Sequence, residues 1–258
     1  MDHVWENLIK KWQLSEAQQT LEKCSLHRGM DVIDFGCGAL YWTLPAVHIV
    51  GEEGTVYAID ADKYVVEFAK ETCKQQGISN MIPIRLKNDK MSSFDQSVDF
   101  IMYYDLFHSM GPTMKRKILT NIELMKEFNR VLRPNGILTV AVFKEICLVQ
   151  DAVNGPFTAK GRPKWFQVDY KKGLELYGVI HLIEGCGFQL IDTITDSAVH
   201  FDEIEKRIHQ PEFANRSFNE FERRDLWVFK NYNTRISVDK INNYTLAIKE
   251  RSDYNEKA

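Results

Sequence analysis

Strand-like and helix-like segments alternate along most of this chain, and that alternation limits the fold more than any other feature. Short apolar runs rich in β-branched and aromatic residues are separated by segments with helical spacing. The predicted strands are 30–35, 55–59, 81–86, 98–104, 136–143, 188–194 and 244–248, and the helices between them include 63–77, 114–132 and 172–186. This order predicts an α/β fold, with right-handed βαβ units forming a doubly wound, mostly parallel sheet of seven strands with helices on both faces.

A chain of 258 residues is long enough for one large domain of this kind, and we predict a single domain over 1–258. Apolar residues at helical spacing predict N-terminal lid helices over 1–26. The remaining segments are a core over 27–145, a substrate-side segment with strand six over 146–199, a charged insertion predicted to be helical over 200–243, and a last strand with a tail over 244–258.

Positive and negative charges nearly balance, with 33 Lys and Arg against 36 Asp and Glu. No basic stripe stands out, so we expect no nucleic-acid partner. The longest apolar stretches fall short of the roughly 20 residues that cross a bilayer, and the acidic N-terminus does not resemble a signal peptide. We therefore expect a cytoplasmic protein without a membrane span. The five cysteines are irregularly spaced and form no Cys-x-x-Cys pair, which predicts no metal site.

The first predicted strand runs into a loop with two glycines, Asp34-Phe35-Gly36-Cys37-Gly38. Glycines here let the backbone approach a ligand, and the amides at the start of the next helix can bind it. A glycine pair alone is a weak signal, because it also suits a plain tight turn. A dinucleotide fingerprint needs a glycine where Tyr41 stands, which disfavours a nucleotide-dependent dehydrogenase.

The second predicted strand ends in Asp60. A carboxylate at this strand end can accept hydrogen bonds from both hydroxyls of a ribose. It can also serve only as a helix cap, since Asp is favoured there. The loop and Asp60 together are much more specific than the loop alone.

The loop resembles the first motif of the class I S-adenosylmethionine-dependent methyltransferases, acidic-x-Gly-x-Gly-x-Gly, with Leu40 in the place of the third glycine. Residues 51–60, the helix start Thr43-Leu44-Pro45 and the turn 133–136 are similar to the quinone-biosynthesis methyltransferases of that class. The resemblance covers about residues 20–145 and, more loosely, 172–195. It implies a Rossmann-like fold and S-adenosylmethionine as cofactor.

The same resemblance implies roles for individual residues. Asp60 would bind the ribose, Asp89 would bind the adenine amino group, and the loop would bind the methionine part of the cofactor. A simple turn residue is the alternative for Asp89. The predicted cofactor contacts are Asp34, Gly36, Cys37, Gly38, Asp60, Ala61, Asn88, Asp89, Lys90 and Tyr104.

Methyl transfer needs an aligned acceptor, exclusion of water and the loss of a proton at some stage. Ligands of open parallel sheets lie beyond the carboxyl ends of the strands, so residues after strand four are placed to face the methyl group. His108 aligns with a histidine common in the quinone-type relatives and is the candidate base, with helix capping or packing as the alternative. Asp105 is the second catalytic candidate, and a helix cap is its alternative.

Four aromatic residues are predicted to contact the acceptor: Trp5, Trp12, Trp165 and Tyr170. They lie in the two segments that fold over the substrate in the family, and ordinary core packing is the alternative for each. An apolar pocket with a few polar contacts suits a planar or greasy small molecule.

The sequence thus predicts S-adenosylmethionine-dependent methyl transfer to a small-molecule acceptor, with release of S-adenosylhomocysteine. Methylation of a protein or RNA is one alternative, and the missing basic stripe argues against it. A non-catalytic S-adenosylmethionine-binding regulatory or scaffold protein is another, motivated by Leu40. The insertion over 200–243 is a candidate surface for a homodimer.

Overall fold

The computed structural model describes residues 3–86, 91, 93–107, 114–142, 174–199, 201 and 223–232. Within these ranges the side chains of 3–5, 114–119, 174–178 and 181 are not described. The predicted last strand at 244–248 lies outside the described residues. No helix in the described part of the chain is long and apolar enough to cross a membrane.

A seven-stranded sheet with the order β3-β2-β1-β4-β5-β7-β6 forms the centre of the fold. Its strands are β1 Asp31–Phe35, β2 Thr55–Asp60, β3 Met81–Arg85, β4 Val98–Tyr104, β5 Leu132–Ala141, β6 Phe188–Val199 and β7 Arg223–Asn231. Neighbours among β1 to β5 pair in parallel, and β7 lies antiparallel between β5 and β6. The predicted mostly parallel sheet is confirmed.

Helices cover both faces of this sheet because its strands are apolar on both sides. The helices are α1 His3–Trp12, α2 Gln18–Lys23, α3 Thr43–Val50, α4 Lys63–Gln76, α5 Met114–Val131 and α6 Leu174–Gly185. Phe100 and Met102 of β4 face the cluster that contains residues of α2, α3 and α4. Ile101 and Tyr103 face the cluster that contains residues of α5 and α6.

The N-terminal segment packs against the first of these faces. Its two helices are joined by one π-helical turn, Gln13–Ala17. Leu21 and Trp12 are buried in the same cluster as Val32 of β1. The helices predicted over 1–26 are therefore present, and their action as a lid stays a prediction.

The edge position of β3 agrees with its sequence. Among the described strands, β3 pairs only with β2, and Pro83 lies opposite Ala58. Proline has no N–H to donate to a second neighbour, so an edge is the position that tolerates it.

The prediction of a helical insertion over 200–243 is wrong for residues 223–231, which form β7. The strand contains four consecutive buried residues, with Leu226 and Val228 in one core cluster and Trp227 and Phe229 in the other. A strand buried on both faces reads as a continuous apolar run. Here the run is short and has charged neighbours, Arg223 to Asp225 and Lys230, which resemble a solvated helix in the sequence. Pairing with β5 and β6 decides the outcome.

Candidate active site

The chain turns sharply between β1 and α3, in a segment that we call the glycine loop (residues 34–40). Gly36 has a φ of +80° and donates its N–H to the carbonyl of Ile59 over 2.7 Å. A Cβ on Gly36 would lie 2.4 Å from Cδ1 of Leu106, which is closer than atoms can pack. The positive φ therefore favours glycine at this position, and any other residue would also require the side chain of Leu106 to move.

The space around Gly38 is open. Its φ is +47°, and the nearest atom to a Cβ built there would be the carbonyl oxygen of Gly36, 3.9 Å away. A glycine that no protein atom crowds leaves room for a ligand to approach the backbone. The loop thus has one glycine fixed by the protein and one that faces free space.

Asp60 is held beside the glycine loop by backbone donors. Its carboxylate accepts the N–H of Gly38 at 3.2 Å and the N–H of Asp62 at 2.9 Å. An ionised carboxylate has about four acceptor positions, so further hydrogen bonds are available to a ligand hydroxyl. Ala61, the next residue, accepts a hydrogen bond from Nε of Arg85 through its carbonyl oxygen.

Asp34 is a buried carboxyl group at the base of the glycine loop. The hydroxyl of Thr43, the first residue of α3, donates to its Oδ2 at 2.5 Å. Burial raises the pKa of Asp34 to about 7; the Thr43 hydrogen bond opposes this shift, and the charge of Asp60 adds to it. Near pH 7 both the protonated and the charged form of Asp34 are therefore populated, and a nearby cation would favour the charged form.

Leu40 takes the backbone conformation that glycine would otherwise supply. Its φ is +64°, in the left-handed region that a residue with a Cβ normally avoids at a cost of roughly 1–2 kcal/mol. Its side chain is fully buried in the core, and burying a leucine contributes roughly 1.5–3 kcal/mol. The side chain thus offsets the strain, and the loop keeps a left-handed residue where the family motif has its third glycine.

A cavity of about 560 Å³ opens at the carboxyl ends of β1, β4 and β6. This volume lies in the range of small-molecule sites, roughly 300–1,000 Å³. Its described lining residues are Asp34, Gly36, Cys37, Gly38, Ala39, Tyr41, Trp42, Tyr64, Val65, Phe68, Tyr104, Asp105, Val199 and Phe201. Six predicted site residues are brought together here: Asp34, Gly36, Cys37, Gly38, Tyr104 and Asp105.

Aromatic rings form one wall of the cavity. The ring of Tyr41 stacks on Phe201 with centroids 4.0 Å apart, and Trp42 meets Tyr104 edge to face at 5.2 Å. Trp12, predicted to contact the acceptor, is 4% exposed and is not one of the lining residues. It packs edge to face on Trp42 and Phe201, which places it behind the wall.

The hydroxyl of Tyr104 is occupied by the protein. Thr139 donates its only hydroxyl hydrogen to the carbonyl of Ile101, so Tyr104 donates to Thr139 over their 2.8 Å contact. Burial, more than any other cause, raises the pKa of Tyr104 well above its usual value. Tyr104 therefore stays neutral and contributes its ring to the cavity.

Asp105 lines the cavity directly after β4, where its φ is +54°. Its N–H donates to the carbonyl of Ala141 at 2.9 Å, which continues the pairing of β4 with β5. Residues 108–113, which precede the described start of α5 at Met114, lie outside the described residues, so the helix-cap alternative for Asp105 stays open. This leaves the catalytic prediction for Asp105 in place as a prediction.

Several predicted residues lie where the structure gives no contacts. Asn88, Asp89, Lys90, His108, Trp165 and Tyr170 lie outside the described residues. Trp5 belongs to α1, and its side chain is not described. Their roles stay predictions.

The sequence reasoning missed most of the aromatic wall. Tyr41 and Trp42 follow the glycine loop directly, and this adjacency was an available signal. Tyr64 and Phe68 are four positions apart on α4, which places them on one helix face. Phe201 carried no comparable signal, because its place depends on the end of β6.

The comparison with protein families decides the identity of this fold. A family model described as a methyltransferase domain matches residues 26–175, more than half of the chain. The chain belongs to the methyltransferase domain family. Its cofactor as a class I methyltransferase is S-adenosylmethionine, which agrees with the motif at the glycine loop.

Two curated proteins are similar in sequence to this methyltransferase. The demethylmenaquinone methyltransferase of Geobacillus stearothermophilus is 24% identical over 127 residues, and the match covers 49% of this chain and 49% of that protein. The demethylmenaquinone methyltransferase of Listeria welshimeri is 22% identical over 209 residues, 74% of this chain and 84% of that protein. This chain thus spans about half the length of the first relative.

A solved structure supports the fold of the methyltransferase. The crystal structure of a SAM-dependent methyltransferase from Aquifex aeolicus aligns with a TM-score of 0.55 and 21% sequence identity. The alignment covers 86% of this chain and 95% of that one. A likeness at this identity establishes a shared architecture.

Proposed function

We propose that this methyltransferase transfers the methyl group of S-adenosylmethionine to a small-molecule acceptor and releases S-adenosylhomocysteine. One observation carries the proposal: the glycine loop and the Asp60 carboxylate meet beside a cavity of about 560 Å³ with an aromatic wall. Binding groups for a nucleoside and a space for an acceptor are therefore adjacent. Such adjacency is what an in-line group transfer requires.

The residues around the glycine loop fit the cofactor. Gly38 leaves open space beside the backbone, and Asp60 has acceptor positions left for the two ribose hydroxyls. Asp34 lies at the cavity. A nearby ammonium group, such as that of a bound methionine, would lower its pKa and favour its ionised form. We assign the ribose to Asp60 and the methionine part to residues 34–38.

The bound cofactor supplies an activated methyl group on a sulfonium. The contribution of the protein is to orient the acceptor and exclude water. Trp42, Tyr104 and Phe201 form an apolar surface for this purpose. We assign removal of a proton from the acceptor to His108, and Asp105 is a described carboxylate that lines the cavity.

A small-molecule acceptor is favoured by the size and lining of the cavity. The curated relatives are named as methyltransferases of demethylmenaquinone, a small molecule. We therefore place protein or RNA methylation second.

Isothermal titration calorimetry with S-adenosylhomocysteine tests the cofactor site. We expect wild-type protein to bind and Asp60→Ala to bind at least about tenfold more weakly, because hydrogen bonds to a charged group are each worth roughly 1.5–3 kcal/mol. Asp95→Ala is the matched control, since Asp95 is a mostly exposed surface residue that pairs with Arg130. Equal binding by wild type and Asp60→Ala would remove Asp60 from the site.

Incubation with methyl-labelled S-adenosylmethionine tests turnover. A metabolite extract, a protein extract and total RNA are offered separately, and label is followed by mass spectrometry. We expect label in the metabolite extract. Label only in protein or RNA would overturn the small-molecule assignment, and cofactor binding with no labelled product in any extract would favour a non-catalytic role.

A further inference from the structure

A buried glutamine from the N-terminal segment contacts the end of the glycine loop. The side chain of Gln13 is 8% exposed, and its Nε2 donates to the carbonyl oxygens of Leu40 at 3.2 Å and Tyr41 at 3.1 Å. A side-chain amide has two N–H groups, so both hydrogens of Gln13 are used on these two carbonyls. The contact joins residues that are 27 and 28 positions apart in the sequence.

The position of Gln13 in the backbone is unusual. It is the first residue of the π-helical turn between α1 and α2. Single π-helical turns are rare and are found frequently at functional sites. A polar side chain is also costly to bury unless its groups are hydrogen-bonded. An apolar side chain could be buried here at a lower free-energy cost. The two hydrogen bonds are therefore the physical reason for a glutamine at this position.

The carbonyls that Gln13 binds belong to a strained part of the loop. Leu40 holds a φ of +64°, which a leucine adopts only when its surroundings fix it. The two hydrogen bonds orient the peptide groups on the C-terminal side of Leu40 and Tyr41. They therefore help to hold the left-handed conformation at the point where the motif lacks its third glycine.

The same contact lies directly beside the aromatic wall. Tyr41 and Trp42 both line the cavity, and Tyr41 stacks on Phe201. Trp12, the neighbour of Gln13 in the chain, packs on Trp42 and Phe201 from behind. The turn is itself anchored, because both terminal guanidinium nitrogens of Arg223 donate to the Glu16 carboxylate. A fixed N-terminal segment is thus in position to orient the loop and the wall together.

We propose that Gln13 is a positioning residue of the cofactor site: its amide holds Leu40 and Tyr41 in the conformation that S-adenosylmethionine binding requires. This inference rests on the proposed function. It makes the N-terminal segment part of the binding site without contact between Gln13 and the ligand.

The first test is the affinity for S-adenosylhomocysteine of Gln13→Met, which keeps the length of the side chain and removes both donors. We expect a loss of about tenfold, the equivalent of roughly one buried hydrogen bond or more. Gln19→Met is the matched control, because Gln19 is exposed on the following turn, and we expect wild-type affinity. Equal affinity of wild type and a folded Gln13→Met would overturn the proposal. Failure of wild type to bind would instead overturn the proposed cofactor site.

The second test uses Gln13→Glu and remains decisive if Gln13→Met does not fold. Its carboxylate offers only acceptors to two carbonyl oxygens, whereas its protonated form regains one O–H donor. We expect the affinity ratio of Gln13→Glu to wild type, measured at each pH, to rise as the pH falls from 8 to 5. A purely structural role would give a ratio that does not change with pH, and that result would contradict the proposal.

Discussion

The hydroxyl of Thr43 donates a 2.5 Å hydrogen bond to the buried carboxyl group of Asp34, across the glycine loop that separates β1 from α3. This contact ties the start of the helix to the end of the strand. Burial raises the pKa of Asp34 to about 7, although the hydrogen bond from Thr43 opposes this shift.

Asp34→Asn is expected to stabilise the fold at pH 8 and to have little effect near pH 4. An unfolded Asp releases its proton near pH 4, whereas native Asp34 keeps its proton up to about pH 7. The unfolding free energy of wild type therefore falls as pH rises between these values, by up to about 1.4 kcal/mol per pH unit. Urea unfolding of both proteins at several pH values measures the difference. A difference that does not change with pH would contradict the assignment.

Gly36→Ala is expected to destabilise the protein more than Gly77→Ala does. Both glycines have positive φ, but a Cβ at Gly36 meets Leu106 at 2.4 Å while a Cβ at Gly77 meets nothing within 4 Å. Gly77→Ala thus reports the backbone cost alone, roughly 1–2 kcal/mol. At Gly36 the side chain of Leu106 must also move, which adds at most roughly 1–3 kcal/mol of overpacking.

The double variant Gly36→Ala with Leu106→Ala separates these two contributions. Removal of the leucine side chain should recover the steric part and leave the backbone part, which a double-mutant cycle of unfolding free energies detects. Strictly additive effects of the two substitutions would mean that Leu106 is not the obstacle.

Tyr104→Phe is expected to lower stability by about 1 kcal/mol and to leave the pH dependence of turnover unchanged. The hydroxyl is hydrogen-bonded to Thr139 and is not available to a ligand in the cavity. The loss of one such hydrogen bond typically lowers the free energy of unfolding by about 1 kcal/mol. Thermal unfolding and a pH–rate profile are the measurements. Loss of the alkaline limb of the profile in the variant would show that Tyr104 exchanges a proton during catalysis.

Arg133→Ala is expected to reduce stability by about 1 kcal/mol without changing affinity for S-adenosylhomocysteine. The guanidinium bridges Asp31 and Asp99 at the starts of β1 and β4. These strand starts lie at the opposite end of the strands from the cavity. Because Arg133 is partly exposed, these ion pairs contribute little to the free energy of unfolding. Urea unfolding and calorimetry measure the two quantities. A weakened affinity would indicate that the two ends of the sheet are coupled.

The alternation of strands and helices, the parallel core and the glycine loop could all be predicted from the amino-acid sequence. These features are local: buried strands read as apolar runs, and glycines mark the turn where positive φ is needed. Asp34, Gly36, Gly38 and the strand-end Asp60 were therefore predictable in both identity and place.

The sequence did not predict the strand at Arg223–Asn231, the aromatic wall or the contact of Gln13 with Leu40. Each depends on segments that are distant in sequence: β7 needs β5 and β6, Phe201 needs Tyr41, and Gln13 reaches across 27 positions. No local propensity records such partners, because packing and buried hydrogen bonds gain their free energy only after the chain has folded.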